Sequence, residues 1–198
     1  MERRLLAVTG GIACGKSAAA SHLLRIGGAV LDTDDVTHSL EAPGGAATEV
    51  LAKEFGAGVM APDGSVDRRR LGAIVFADVA AMARLNAILH PLISQKVREW
   101  VGQETRAAFR AVLVPLLYEA GFDKDIGWDM TLAIVCSEEE QIRRLRGRGL
   151  TDGEARARIA AQMPCLEKAR RADMAIWNDK GFDHLYSEVE KAVERLLA

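Results

Sequence analysis

An apolar run at residues 5–8 gives way to Thr9 and two glycines, and after Lys16 the apolar positions Ala20, Leu23 and Leu24 recur at helical spacing until Gly27. That pattern predicts a strand, a glycine loop and a helix. A second apolar run, 29–31, ends in Asp32-Thr33-Asp34-Asp35, so carboxylates stand at the carboxyl end of a predicted parallel strand. In doubly wound sheets ligands bind at that edge. From 37 to about 108, breaks at 42–45, 55–58 and 62–64 punctuate helical periods without a strand pattern. Asp67 and Asp78 are predicted N-caps of helices carrying Leu71, Ile74 and Val75, then Met82, Leu85, Ile88 and Leu89. His90-Pro91 is expected to interrupt the second helix, with the period resuming over 92–100.

Short, partly β-branched apolar runs return at 111–117 and 130–135, and read as central strands. Ser137 to Glu140 has capping-box spacing and opens a predicted helix through Arg143, Arg144, Arg146 and Arg148, stopped by Gly149. Thr151 to Glu154 opens another, giving a basic helical hairpin. A last strand at 175–177 precedes a helix over 182–197 with Leu185, Val189, Val193 and Leu196 on one face. Strands alternating with helices indicate an α/β fold with a parallel sheet.

The 198 residues are 49% hydrophobic, enough for one sizeable core with an inserted lobe. With a net charge of -2, the chain has no global basic field to hold nucleic acid, so any anion site must be local. Cys14, Cys136 and Cys165 form no C-x-x-C pair and are odd in number, which suits a reducing compartment, so the cytoplasm is expected. The first apolar run is far shorter than the roughly 7–15 residues of a secretory signal core. The run at 112–117 contains Pro115 and falls well short of the ~18 residues of a membrane span. A soluble protein is expected, with no membrane, nucleic-acid or obligatory protein partner.

The chemistry starts at TGGIACGKS, residues 9–17, where Gly10, Gly15, Lys16 and Ser17 fit the G-x-x-x-x-G-K-[ST] spacing of a P-loop. The strand before and the helix after supply the context this motif needs. Backbone N–H groups of Gly11, Ile12, Ala13, Cys14, Gly15, Lys16 and Ser17 would cradle the β-phosphate of ATP. Lys16 would neutralise β- and γ-oxygens, and the Ser17 hydroxyl would ligate Mg²⁺. A helix N-terminus is expected to lower the Cys14 thiol pKa and expose ATP binding to oxidation or alkylation. Asp32 and Asp34 read either as turn or N-cap residues, or as a pair on one face if the strand continues. In the second reading one orients Mg²⁺ through water and the other, Asp34, takes a proton from an attacking hydroxyl. Arg144 and Arg148 are four apart and so share a face of this helix. The arginines form either a solvated helix face or, with Arg148 foremost, a lid that stabilises the transferring phosphoryl group. His90 alone is as compatible with packing as with catalysis.

A switch GTPase would need D-x-x-G and N-K-x-D, and neither is present. A motor ATPase would need an Asp-Glu pair after a hydrophobic strand, where Tyr118-Glu119 stands instead. A small-molecule kinase remains. TGGIACGKS, LDTDDVTHSL, LHPLI at 89–93, VPLLYE at 114–119 and the stretch 158–178 together resemble the dephospho-CoA kinase family, in order and over nearly the whole chain. The resemblance implies a P-loop NTPase-type three-layer sandwich with a central parallel sheet, a helical substrate-binding insertion and a helical lid. It implies one kinase domain over 1–198, with a core at about 1–36, 109–137 and 170–198, an insertion at 37–108 and a lid at 138–169. The implied reaction is phosphorylation of the ribose 3′-hydroxyl of dephospho-CoA by ATP and Mg²⁺, the last step of coenzyme A synthesis.

Under this resemblance Asp34 is the base, with Asp32 beside it near the metal and the acceptor. His90, Leu116, Leu117 and Glu119 fall in the acceptor region, Arg148 matches the lid arginine, and Asn178 lies near the adenine. The loop departs from the family in Ala13-Cys14, where Gly-Ser is more usual, and Ala narrows the backbone choices of Gly. Thr33 stands where Ala is common. The alternatives are a P-loop kinase of another nucleotide-like alcohol and a nucleotide-binding sensor without transfer.

Overall fold

The computed structural model describes residues 4–198, and these divide into two compact units. One holds the described residues up to Asp32 together with Glu104–Ala198, and the other is Thr33–Gln103. In chain order the first unit begins with β1 (Leu5–Gly10), α1 (Lys16–Arg25) and β2 (Ala29–Asp32). The second contains α2 (Thr33–Glu41), α3 (Thr48–Phe55), α4 (Arg68–Val75) and α5 (Val79–Gly102). The chain then returns to the first unit with β3 (Arg110–Leu113), α6 (Phe122–Asp125), β4 (Met130–Val135) and α7 (Glu138–Arg146). That unit ends with α8 (Asp152–Ala160), α9 (Cys165–Arg171), β5 (Met174–Trp177) and α10 (Phe182–Leu197).

All strand pairs are parallel, in the order β2-β3-β1-β4-β5. Every residue of the central β1 is buried, which is why it reads as a continuous apolar run without alternation. Leu6, Val8, Leu132 and Ile134 meet Leu23 of α1 and Leu185 and Val189 of α10 in one core. β1 delivers the glycine loop to the carboxyl edge of the sheet. β2 brings Asp32 to the same edge, opposite Leu113. A Cβ at Gly10 would lie 1.9 Å from the Ile134 carbonyl oxygen, so only glycine lets the loop leave β1 this close to β4.

Three elements differ from their sequence pattern. α1 buries Ala19, His22 and Leu23 but exposes Leu24; His22 takes the inner position because it stacks on Tyr186 and bonds Glu190. β3 stops at Leu113 although its apolar run continues. Val114 still donates to the Val8 carbonyl, but Pro115 has no N–H to extend the ladder, and the following residues close a turn through Leu117 N–H to Val114 O. The strand at β2 ends at Asp32 and α2 begins at once, so Asp34 lies in a helical first turn. The strand alternation invoked for Asp32 and Asp34 therefore does not apply.

The helical unit contains no strand beyond an isolated bridge between Met60 and Val66. Asp67 accepts from the Arg69 and Arg70 amides and Asp78 from the Ala80 amide, so both act as N-caps. The expected break at His90-Pro91 does not occur: α5 runs through Pro91. Proline forfeits one backbone bond there. Buried Leu89, Ile93, Val97 and Val101 recur along one face across the proline and hold both halves in one helix.

Candidate active site

The glycine loop ends in Gly15, the N-cap of α1, at φ 109. A Cβ there would meet the Asn178 amide nitrogen at 2.5 Å. No side chain caps this helix and its first turn holds no acidic residue. Its N-terminal amides and the positive end of its dipole are thus left for an anion. Ala13 is the one described non-glycine residue with positive φ, at 62°, a conformation that costs an L-residue roughly 1–2 kcal/mol. Its methyl group packs with Leu145 and Ala155. Lys16 Nζ donates to the Gly10 and Gly11 carbonyls at 2.9 Å each, folding its charge over the loop. Ser17 is exposed in the first turn of α1.

Side chains from three other segments hold the loop's backbone. Gln141 of α7 donates to the Ile12 carbonyl at 2.8 Å, and Gln162, after α8, accepts the Ile12 N–H at 2.9 Å. Arg144 donates to the Ala13 carbonyl at 3.1 Å and to the Asn178 carbonyl at 2.7 Å. Asn178 Nδ2 donates to the Cys14 carbonyl at 2.8 Å. The loop is therefore shaped before any nucleotide arrives. Arg143 and Arg144 also grip Glu140 and hold its carboxyl below the ordinary range. Gln141 and Gln162 went unnoticed in the sequence, because a lone glutamine carries no periodic or spacing signal.

Several expectations for this region change. Cys14 is fully buried, its sulfur 3.3 Å from that of Cys136 and 3.6 Å from that of Cys165. Hydrogen bonding with Cys136, then burial, push its thiol up to about 12, overturning the expected lowering by the helix N-terminus. The Ser137 box is half formed. Its hydroxyl accepts the Glu140 amide, but its own N–H goes to Asp179 because Glu140 is held by the two arginines. Thr151 and Glu154 complete theirs. α7 ends at Arg146, so Arg148 lies beyond it, exposed, and does not share a helix face with half-buried Arg144. Asn178, at the end of β5, is 1% exposed and its amide braces the loop.

In the turn after β3, Leu116 is exposed and Leu117 is buried. Glu119 pairs with Lys168 at 2.8 Å. In the helical unit, Asp34 is exposed on α2 and His90 is half-buried on α5, and these two helices pack together. Among the described residues no three His, Cys, Asp or Glu side chains gather to hold a metal by themselves.

Residues 4–184 match the family model for dephospho-CoA kinase. The chain belongs to the dephospho-CoA kinase family. A dephospho-CoA kinase of Symbiobacterium thermophilum is 43% identical over 191 residues, covering 96% of this chain and 80% of that one. A crystal structure of a Thermus thermophilus protein matches with a TM-score of 0.86 at 32% identity, covering all of both chains. The dephospho-CoA kinase of Campylobacter jejuni matches with a TM-score of 0.71 at 26% identity, over 98% of each chain. The glycine loop lies between β1 and α1. No helix among the described residues is long and apolar enough to cross a membrane.

Proposed function

We propose that this dephospho-CoA kinase transfers the γ-phosphoryl group of ATP to the ribose 3′-hydroxyl of dephospho-CoA, giving coenzyme A and ADP. The observation that carries the reading is the braced glycine loop on an uncapped helix N-terminus, in a chain matching this family over 4–184. The amides of Gly11 to Ser17 and the Lys16 ammonium bind the phosphates. Asp34 takes the proton of the attacking hydroxyl, and its exposure leaves it accessible to substrate. Arg148, outside the ion pairs of α7, is free of the structural duties that occupy Arg144 and serves the transferring group when the tip of the 138–169 hairpin, beyond the residues that brace the loop, closes as a lid. His90 and Leu116 to Glu119 receive the acceptor, and Asn178 supports the adenine side of the loop.

Ser17 and Asp32 suit Mg²⁺: a hydroxyl and a carboxylate are hard oxygen donors, and Mg²⁺ keeps several waters, so it needs no dedicated cage of protein ligands. Bound there, it would relieve charge on the phosphate oxygens. The three thiols are unpaired, which suits a reducing cytoplasm, and the reaction needs no protein partner.

The test is product mass and ADP release with ATP, Mg²⁺ and dephospho-CoA, run beside nucleoside monophosphates, shikimate and gluconate. A product one phosphate heavier from dephospho-CoA alone is expected. Asp34→Asn should lower turnover by ~100-fold or more with ATP binding intact. Transfer to another acceptor would leave a P-loop kinase of different specificity, and binding without transfer a sensor.

A further inference from the structure

Among the described residues no bulkier side chain is as completely buried as that of Lys168, and it carries a charge. A buried ammonium is tolerated only where it is paired and hydrogen-bonded. Lys168 reaches from α9 to both ends of the turn that follows β3. Its Nζ donates to the Pro115 carbonyl at 2.6 Å and pairs with Glu119 Oε1 at 2.8 Å. That same carboxylate oxygen accepts the Met163 amide at 3.0 Å, from the segment joining α8 to α9. The Pro115 carbonyl also takes the Thr9 hydroxyl at 3.3 Å, at the end of β1 where the glycine loop begins. One ammonium therefore ties both ends of residues 115–119 to α9, at the same two anchors that Thr9 of the loop strand and Met163 of the hairpin exit also bond, while Leu116 between them stays exposed.

We propose that Lys168 is a positioning residue for the acceptor. It sets the place of the turn at 115–119 without itself touching the substrate, and this rests on the reading of Leu116 to Glu119 as the acceptor region. An apolar side chain of similar volume fills a core site as stably as a buried ion pair does. It cannot direct hydrogen bonds at two points four residues apart, and that directional hold is what the ammonium adds. Glu119 then acts through this pair: its carboxylate is engaged by Lys168 and Met163.

The test compares wild type with Lys168→Met, Glu119→Gln and the double variant, in which the neutral glutamine leaves no lone buried charge. If Lys168→Met alone does not fold, the double variant decides. The readouts are the two KM values and amide hydrogen exchange at Leu117, Ala120 and Gly121, whose N–H groups bond within this turn. Loss of charged hydrogen bonds to the turn should raise KM for dephospho-CoA about tenfold in the double variant. KM for ATP should stay within about twofold and the turn's amides should exchange faster. A purely structural Lys168 would move both KM values together, or neither, and either result overturns the proposal. Unchanged exchange would overturn it at Lys168 itself. Faster exchange with an unmoved acceptor KM would also overturn it, placing the fault in the acceptor reading of the turn.

Discussion

Two arginines four residues apart illustrate how environment assigns work to a side chain. Arg144 is half-buried and holds the Ala13 and Asn178 carbonyls and Glu140. Replacing it with methionine leaves those acceptors unmet, and should cost about 2 kcal/mol and lower the melting temperature by roughly 4–8 °C. Arg148 is exposed, so Arg148→Ala should stay within about 0.5 kcal/mol of wild-type stability. If it serves the lid, kcat should fall on the order of 100-fold. Paired melting curves and steady-state rates separate the two effects. Wild-type turnover in Arg148→Ala would remove Arg148 from the chemistry. Cys14 makes a third case, because its thiol rises from 9.0 to about 12 in the fold. A raised thiol pKa favours the folded state below pH 9, and that contribution is lost as pH climbs toward 12. Between these limits wild type should lose up to about 1.4 kcal/mol per pH unit more than Cys14→Ala. Denaturant titrations at pH 8, 9 and 10 would detect it. At pH 7.5, iodoacetamide should label Cys14 only after unfolding; labelling of the folded protein would contradict its burial.

At the scale of elements, α5 shows local preference yielding to packing. Pro91 forfeits a backbone bond, yet the apolar stripe on either side of it keeps one helix. Pro91→Ala should restore the bond and raise stability by about 2 kcal/mol, after the greater freedom of the unfolded chain is allowed for. A thermal melt checks this, and a lower melting temperature would mean that the proline ring itself makes packing the helix needs. Caps were legible wherever the cap is a local matter: Asp67, Asp78 and Thr151 each bond amides two or three residues on. Ser137 was legible only by half. Its other partner, Asp179, is 42 residues away, a distance that spacing rules do not reach. β3 was read too long because its run was followed by hydrophobicity alone, although Pro115 within it marks where the ladder loses its donor.

For the whole molecule, the consequence of a preformed loop is linkage between nucleotide and stability. At 100 times its dissociation constant, ATP should stabilise the fold by about 2.7 kcal/mol, roughly 5–10 °C in melting temperature. Lys16→Ala should lose most of that shift; an unchanged shift would contradict the cradle. The central sheet, with β1 buried at every residue, should hold the most protected amides.

The sequence by itself determined the strand–loop–helix of residues 5–25, the carboxylates after β2, the caps and the family resemblance. Each of these is written in neighbouring residues, through backbone conformation, period and spacing. Tertiary structure decided which side chains work together. Gln141, Arg144, Gln162 and Asn178 converge on a loop lying between 129 and 164 residues before them. Lys168 finds Pro115 at a separation of 53 residues. It also decided that Cys14 is buried against two other thiols and that Asp34 begins a helix. Such outcomes depend on what the folded chain brings within 3 or 4 Å, and no local pattern encodes that proximity.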